Sequence, residues 1–279
     1  MARGIPIDIH AVARAEQSRR LALEAEFRST VESRAFTAVR WIRRITRRGP
    51  DLASIDRLLA ESPEPVPLPA NGTQWLIDRF HKLYYDYGAR TWRDTWWLGV
   101  RTLKCPLDLW LYQELLQQVR PDIVIECGTK YGGSAFYLAS ILDLIGHGSV
   151  VTIDIAEQPG RPDHPRIEYI TSSSVDPALV ARLATRCEGL TTLVILDSDH
   201  SRDHVLAELH AYAPIVSVGS YLIVEDTNIH GNPVLPDHPP GPGEAVEEFL
   251  LGRDDFAVAP IGEKFFLTFN PGGVLQRAH

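Results

Sequence analysis

Two apolar runs in the second half of this 279-residue chain end in clusters of acid. LVILDSDHSRDH (193–204) closes on Asp197, Asp199 and His200, and YLIVEDTN (221–228) on Glu225 and Asp226. Carboxylates are costly to bury unless they are paired or hold a metal. Neighbouring strands lie roughly 5 Å apart, so oxygens at the ends of two such strands can converge. Hard oxygen donors suit Mg²⁺ or Ca²⁺ rather than zinc. Asp197, Glu225 and Asp226 are therefore the candidate metal ligands. Asp199 is a rival for the first position, because it and Asp197 flank the same serine. His200, one turn beyond Asp197, is placed to act as general base on a hydroxyl held at the metal. The competing reading leaves Asp199 and His200 only a helix to cap; three acids at two strand ends favour the site.

A second cluster lies earlier, in ECGTKYGGS (126–134). Gly128, Gly132 and Gly133 let backbone approach a ligand, and the helix that follows presents its N-terminus. Such a turn alone is a weak signal, since glycines also serve tight strand-to-helix packing. Its weight comes from Asp154, at the end of the next strand in VVTIDI, where an acid can take two ribose hydroxyls. Together they point to an adenosine-bearing cofactor, either NAD or S-adenosylmethionine. The third strand ends in TSSSVD (171–176), where Ser174 and Asp176 can meet the adenine edge, although Asp176 is equally placed to cap the next helix. The cofactor-binding candidates are Glu126, Gly128, Thr129, Tyr131, Gly133, Ser134, Asp154, Ser174 and Asp176, with Asp197 counted in both sites. Tyr131, Trp96 and Trp97 can shape a pocket, though for each singly a core or interface role is the simpler reading.

These sites need a scaffold, and its rhythm begins at Pro121. Strand-like runs alternate with helical ones: DIVIECGTKYGGS, SAFYLASILDLI, GSVVTIDI, IEYITSSS, DPALVARLATRC, TTLVILDSDH, SRDHVLAELHAYAPI, SYLIVEDTN and GEAVEEFLLGR. FAVAPIG and FFLTFNPGGVL read as a closing antiparallel pair. The alternation predicts an α/β fold with a doubly wound, mostly parallel sheet and ligands beyond the carboxyl ends of its strands. DLWLYQELLQQV (108–119) is a helix, with Asp108 as the expected N-cap after Pro106. The long Pro- and Gly-rich stretch at 230–245 follows the acidic strand directly, as a substrate lid or as a rigid decoration.

Upstream, residues 1–61 read as a helical N-terminal extension, and 62–107 as a Pro-rich and aromatic linker with a lid or interface segment; 108–279 form the catalytic domain. Within the extension, residues 34–50 place Phe36, Val39 and Ile42 at helical spacing among Arg40, Arg43, Arg44, Arg47 and Arg48. A helix packed on its own domain or on a second subunit is favoured there over a membrane-surface helix. The formal net charge of −8 disfavours general nucleic-acid binding. Three scattered cysteines make no disulfide framework or zinc knuckle and fit a reducing cytoplasm. No apolar run approaches the length of a membrane span.

The ordered series WLGVRTLKCPLDLWLYQELL, ECGTKYGGSA, VVTIDI, LDSDHSRDHVLAEL, YLIVEDTN and GPGEAVEEFL resembles the cephalosporin-hydroxylase-like family, allied to the macrolide-sugar O-methyltransferases. The resemblance covers roughly residues 75–275. It implies a Rossmann-like class I methyltransferase fold, S-adenosylmethionine, bound Mg²⁺ and a hydroxyl acceptor on a natural product, with a sugar as the expected moiety and antibiotic biosynthesis as the setting. It implies that Glu126, Gly128 and Asp154 hold the cofactor and Ser174 the adenine. Asp197, His200, Glu225 and Asp226 match the order of ligand, base and acid pair in the more distant catechol-type methyltransferases. Family members assemble, so a homo-oligomer is expected. No 2-His-1-carboxylate spacing is present, so hydroxylation by this chain alone is not expected. The alternatives are a cofactor-binding partner protein that assists another enzyme, and a nicotinamide oxidoreductase.

Overall fold

The computed structural model describes residues 72–279, and the extension with its arginine-rich 34–50 segment lies outside the described residues. The described elements begin with helix α1 (Gly72–Asp86), then short turns and a two-stranded hairpin, β1 (Trp96–Trp97) and β2 (Val100–Arg101). Helix α2 (Pro106–Val119) leads into β3 (Ile123–Cys127), α3 (Gly133–Ile145), β4 (Ser149–Asp154) and β5 (Ile167–Thr171). Then come α4 (Pro177–Cys187), β6 (Thr192–Leu196), α5 (Arg202–Tyr212), β7 (Tyr221–Val224), α6 (Pro242–Leu250), β8 (Phe256–Val258) and β9 (Val274–Arg277).

Strands β5-β4-β3-β6-β7-β9-β8 form one seven-stranded sheet. β3 to β7 run parallel, and β8 and β9 close the edge antiparallel. Every residue of β3 and β6 is buried, which is why both appear in the sequence as mostly apolar runs rather than alternating ones, with Glu126 and Thr192 the polar members. Alternate side chains feed two cores. Val124, Val150, Leu193 and Ile195 pack with Leu111, Leu115, Leu138 and Leu142 of α2 and α3. Ile125, Val151, Val194 and Leu196 pack with Leu183, Leu209, Tyr212 and Phe249 of α4 to α6. The result is helix, sheet, helix, with the strand order reversing between β3 and β6. That reversal opens a crevice beyond the carboxyl ends of those two strands.

Three expectations are revised. Asp108 is not the N-cap of α2: Cys105 takes that place with Pro106 at the first helical position, while buried Asp108 reaches across to accept from the Phe269 N–H at 2.9 Å. Burial pushes the Asp108 carboxyl up to about 6. Strand β9 starts only at Val274, so the FFLTF part of the expected strand is loop. Leu267 and Phe269 turn instead into a third core with Cys105, Tyr84, Tyr85 and Trp92. Phe269 also stacks on His81 at 5.5 Å. Residues 72–107, set apart above as linker and lid or interface, belong to the same compact unit as the sheet.

Candidate functional site

The glycine turn grows out of β3. Gly128 has φ +103, and a Cβ there would stand 1.8 Å from the Asp197 carbonyl oxygen. A Cβ on Gly133 would stand 2.2 Å from the Arg101 carbonyl oxygen. Both glycines therefore make room for main chain, the tight-packing reading, and the turn shares a wall with the loop after β6. Gly132 caps α3 in a left-handed conformation, and no side chain makes a capping hydrogen bond there.

Around the turn, polar groups are matched by hydroxyls and amides. Glu126 has no exposed surface; the Thr152 hydroxyl donates to its Oε2 at 2.6 Å, and Thr152 pairs with Thr129 at 2.7 Å. Burial pushes the Glu126 carboxyl up. Glu126, Thr129 and Ser134, expected against the cofactor, thus lie beneath the turn as buried supports. Asp154 sits at the end of β4 as expected and accepts from the Lys130 N–H at 2.8 Å and the Ala156 N–H at 3.0 Å. Arg161 lies 3.3 Å from its Oδ2. Tyr131 is half-buried, with the Arg101 guanidinium 5.7 Å from its ring centre. Trp97 packs edge-on against Tyr137 at 4.8 Å and belongs to the core, whereas Trp96 is exposed. Ser174 is buried, with its hydroxyl 3.2 Å from His204 Nε2. Asp176 caps α4, accepting from the Leu179 N–H at 2.8 Å.

The acid half is built differently. The Asp197 N–H donates to the Cys127 carbonyl at 2.8 Å, and the Glu225 N–H to the Leu196 carbonyl at 2.9 Å, so the ladder delivers both acids to one edge. Asp226 follows with φ +55, its N–H held by Asn270 Oδ1 at 3.0 Å. One ligand atom each from Asp197, His200 and Asp226 lies within 4.8 Å of the others. His200 Nδ1 is 3.0 Å from Asp226 Oδ2, and its Nε2 is 3.9 Å from Asp197 Oδ1. Burial alone would lower the His200 pKa, but the hydrogen bond to Asp226 and the charges of Asp226 and Asp197 raise it to about 9. The rival Asp199 is exposed and accepts from the Ser201 N–H at 2.8 Å, outside the cluster.

Lys104 is the functional residue that the sequence reading missed. Its side chain is 5% exposed, and its ammonium pairs with both Asp197 and Glu225, the latter at 2.5 Å. Burial works against the charge, yet Asp197 and Glu225 hold the ammonium protonated. One Glu225 oxygen is on Lys104, and the other is buried without a partner. Burial pushes its carboxyl up, and so does Asp197, while Lys104 opposes both. The hairpin delivers Lys104: the Thr102 N–H bonds Thr95 O at 2.9 Å and the Lys104 N–H bonds Thr95 Oγ1 at 3.2 Å. A scarcity of lysine (Lys82, Lys104, Lys130 and Lys264 against a background of arginine) was the one available signal.

The proline-rich stretch is stitched to the body. Val234 is buried and its N–H bonds the Asn228 carbonyl at 3.0 Å, while the Arg202 N–H holds Pro240 O at 3.0 Å. A cleft of about 790 Å³ opens between α1, α6 and the 263–272 loop, touching the acid loop only at Thr227. All three cysteines are free and buried. Among the described residues, no helix is long and apolar enough to cross a membrane.

A glycine turn and strand-end acid on one side of a topological switch, and a convergent acid cluster on the other, define a doubly wound α/β protein whose candidate site lies at the carboxyl ends of its strands. The profile of the family described as Rhamnosyl O-methyltransferase/CmcI matches residues 89–278. The rhamnosyl O-methyltransferase of Mycobacterium bovis (strain BCG / Pasteur 1173P2) is 42% identical over 214 residues, covering 72% of this chain and 85% of that protein. The rhamnosyl O-methyltransferase of Mycobacterium leprae is 39% identical over 214 residues, covering 74% and 92%. The chain belongs to the rhamnosyl O-methyltransferase/CmcI family. Among solved structures, CmcI described as "cmcI-D160 Mg-SAM" shares the fold, with a TM-score of 0.51 and 22% identity over 84% of this chain and 99% of that one.

Proposed function

We propose that this chain transfers the methyl group of S-adenosylmethionine to a hydroxyl of a sugar on a natural product, assisted by Mg²⁺, with a rhamnosyl residue as the first acceptor to test. Convergence of Asp197, His200 and Asp226 beside the glycine turn carries this reading. The donor set fits a divalent ion, being the carboxylates of Asp197 and Asp226 beside a buried Glu225 oxygen that lacks a partner. A bound ion would lower the pKa of a coordinated hydroxyl and orient it. S-adenosylmethionine supplies an electrophilic methyl group, and much of the rate would come from positioning two reactants.

The chain's own residues take the remaining roles. Asp154 and the open N-terminus of α3 receive the ribose and the carboxylate-bearing end of the cofactor. The Ser174 hydroxyl faces the adenine, and Glu126, Thr129 and Thr152 keep the turn in shape. Asp197, Glu225 and Asp226 hold the ion, and His200 takes the acceptor proton. His200 must be neutral to do so, and committing Asp226 and Asp197 to a cation removes the interactions that raise its pKa. Family membership favours methyl transfer over the nicotinamide reading, and turnover by the purified chain separates an enzyme from a partner protein. The chain works as a homo-oligomer in this reading; exposed Leu76, Phe80 and Leu83 on one face of α1 support it, and sedimentation equilibrium checks it.

The test is calorimetric titration of S-adenosylmethionine and S-adenosylhomocysteine into chelated and Mg²⁺-loaded protein, followed by a methyl-transfer assay on rhamnosides. Binding with Mg²⁺-dependent methylation is the expected result. An absence of binding under every condition removes the methyltransferase reading.

A further inference from the structure

Lys104 stands where a cation belongs. Its ammonium contacts one oxygen each of Asp197 and Glu225, and it is almost sealed from solvent. Its backbone is pinned by Thr95 on one side and by the start of α2 on the other. On the other side of the crevice, one oxygen of buried Glu126 accepts from a threonine hydroxyl and the other has no partner, while Asp154 is paired with Arg161. Asp197, Glu225 and Asp226 form a patch of three carboxylates. Bringing such groups together without a cation is strongly unfavourable. Lys104 offsets one of the three negative charges, and His200 stands 3.0 Å from the Asp226 carboxylate.

From this arrangement we propose that Lys104 competes with the divalent ion for the oxygens of Asp197 and Glu225 and thereby sets the ion's affinity. The inference rests on the reading of these acids as an ion site. Before the ion arrives, the ammonium holds the acid pair together. When the ion binds, Lys104 gives up one or both oxygens, and that exchange weakens binding relative to a site without the lysine. Lys104 is a positioning residue here, acting through Asp197 and Glu225 rather than on the substrate. Competition and simple structural support predict opposite signs. A structural lysine, once lost, leaves a damaged site that binds the ion less well. A competing lysine, once lost, leaves repelling acids that bind it better.

The experiment compares wild type, Lys104→Met and Lys104→Arg by Mg²⁺ calorimetry on chelated protein and by thermal melts with and without Mg²⁺. Lys104→Met is expected to bind Mg²⁺ at least about tenfold more tightly, to melt lower without the ion and to gain more from it. Lys104→Arg, which keeps the charge, is expected to stay within about threefold of wild type. If Lys104→Met does not fold without an ion, the Mg²⁺ concentration that restores its fold replaces the calorimetric constant and is expected below the wild-type Kd. Equal or weaker binding by Lys104→Met, or failure of any Mg²⁺ concentration to restore its fold, overturns the proposal. Mg²⁺ failing to bind both wild type and Lys104→Met removes the ion reading as well, whereas equal binding to both removes the role of Lys104 alone.

Discussion

The two halves of the crevice solve the same problem in different currencies. On the β3–β4 side, Glu126 accepts from the Thr152 hydroxyl through one oxygen, and Asp154 accepts from two main-chain N–H groups with Arg161 3.3 Å away. On the β6–β7 side, Asp197, Glu225 and Asp226 are balanced by Lys104 and His200. Neutral donors belong to the scaffold and stay put, so the first half is preformed. Charged partners can be exchanged for another charge, so the second half is poised for a cation. Under the proposed function, the cofactor binds in the first half and the acceptor is activated in the second.

Breaking the acid half should cost the most activity. Asp226→Asn removes an ion ligand and the partner of His200, and methyl transfer is expected to fall roughly 10³-fold. S-adenosylmethionine affinity should stay within about threefold, measured by calorimetry on the same preparation; a matching loss of cofactor binding would erase the distinction between the halves. Gly128→Ala attacks the wall they share. Its Cβ would meet the Asp197 carbonyl and its φ is left-handed, so urea denaturation should show a loss of at least about 3 kcal/mol. A variant of native stability would mean that the two loops can separate.

A third test addresses the clamp that holds the Lys104 segment. His81 is buried against Phe269 and paired with Asn228 at 2.9 Å. Burial lowers its pKa from 6.5 to about 4. The folded state therefore prefers the neutral ring. Its contribution is complete above pH 6.5, fades as pH falls from 6.5 to 4, and amounts to about 3 kcal/mol at most. Denaturation at pH 7 and pH 4.5 should show this loss in wild type and a smaller one in His81→Gln; equal pH dependence in the two proteins would refute it.

Asp154→Ala should weaken S-adenosylmethionine about 10- to 100-fold, equivalent to about 1.4–2.8 kcal/mol, and leave Mg²⁺ affinity unchanged by calorimetry. The smallest effect belongs to Asp199→Ala, which removes an acceptor for Ser201 at the start of α5. Stability should drop by about 1 kcal/mol or less with Mg²⁺ binding intact, and a loss of Mg²⁺ binding would return Asp199 to the ligand set.

Much of this arrangement was legible in the residues. β3 and β6 show as mostly apolar runs because both faces of the sheet are covered, and the acids show because they end those runs. Asp176 reads as a cap because the following proline marks the helix start. Asp108 misleads because a proline shortly before an acid suggests the same device, whereas its partner is Phe269, far along the chain. FFLTF mimics a strand because aromatic and β-branched residues favour one; the cluster around Trp92 takes Leu267 and Phe269 instead. Lys104 lies between a hairpin and a helix, where no periodicity reports burial, and its partners are contributed by distant strands. Local pattern carries local structure, and a charge pair formed only by tertiary closure leaves no local trace.

The span of that pair has a consequence in time. Ninety-three residues separate Lys104 from Asp197, so the contact closes a long loop and has to wait until β6 and β7 have joined the sheet. Interactions absent from the folding transition state slow unfolding without speeding folding. The ammonium bridge accordingly acts as a late latch: it governs how long the finished molecule survives between openings, while the rate at which a new chain reaches that state is set by the apolar strands alone.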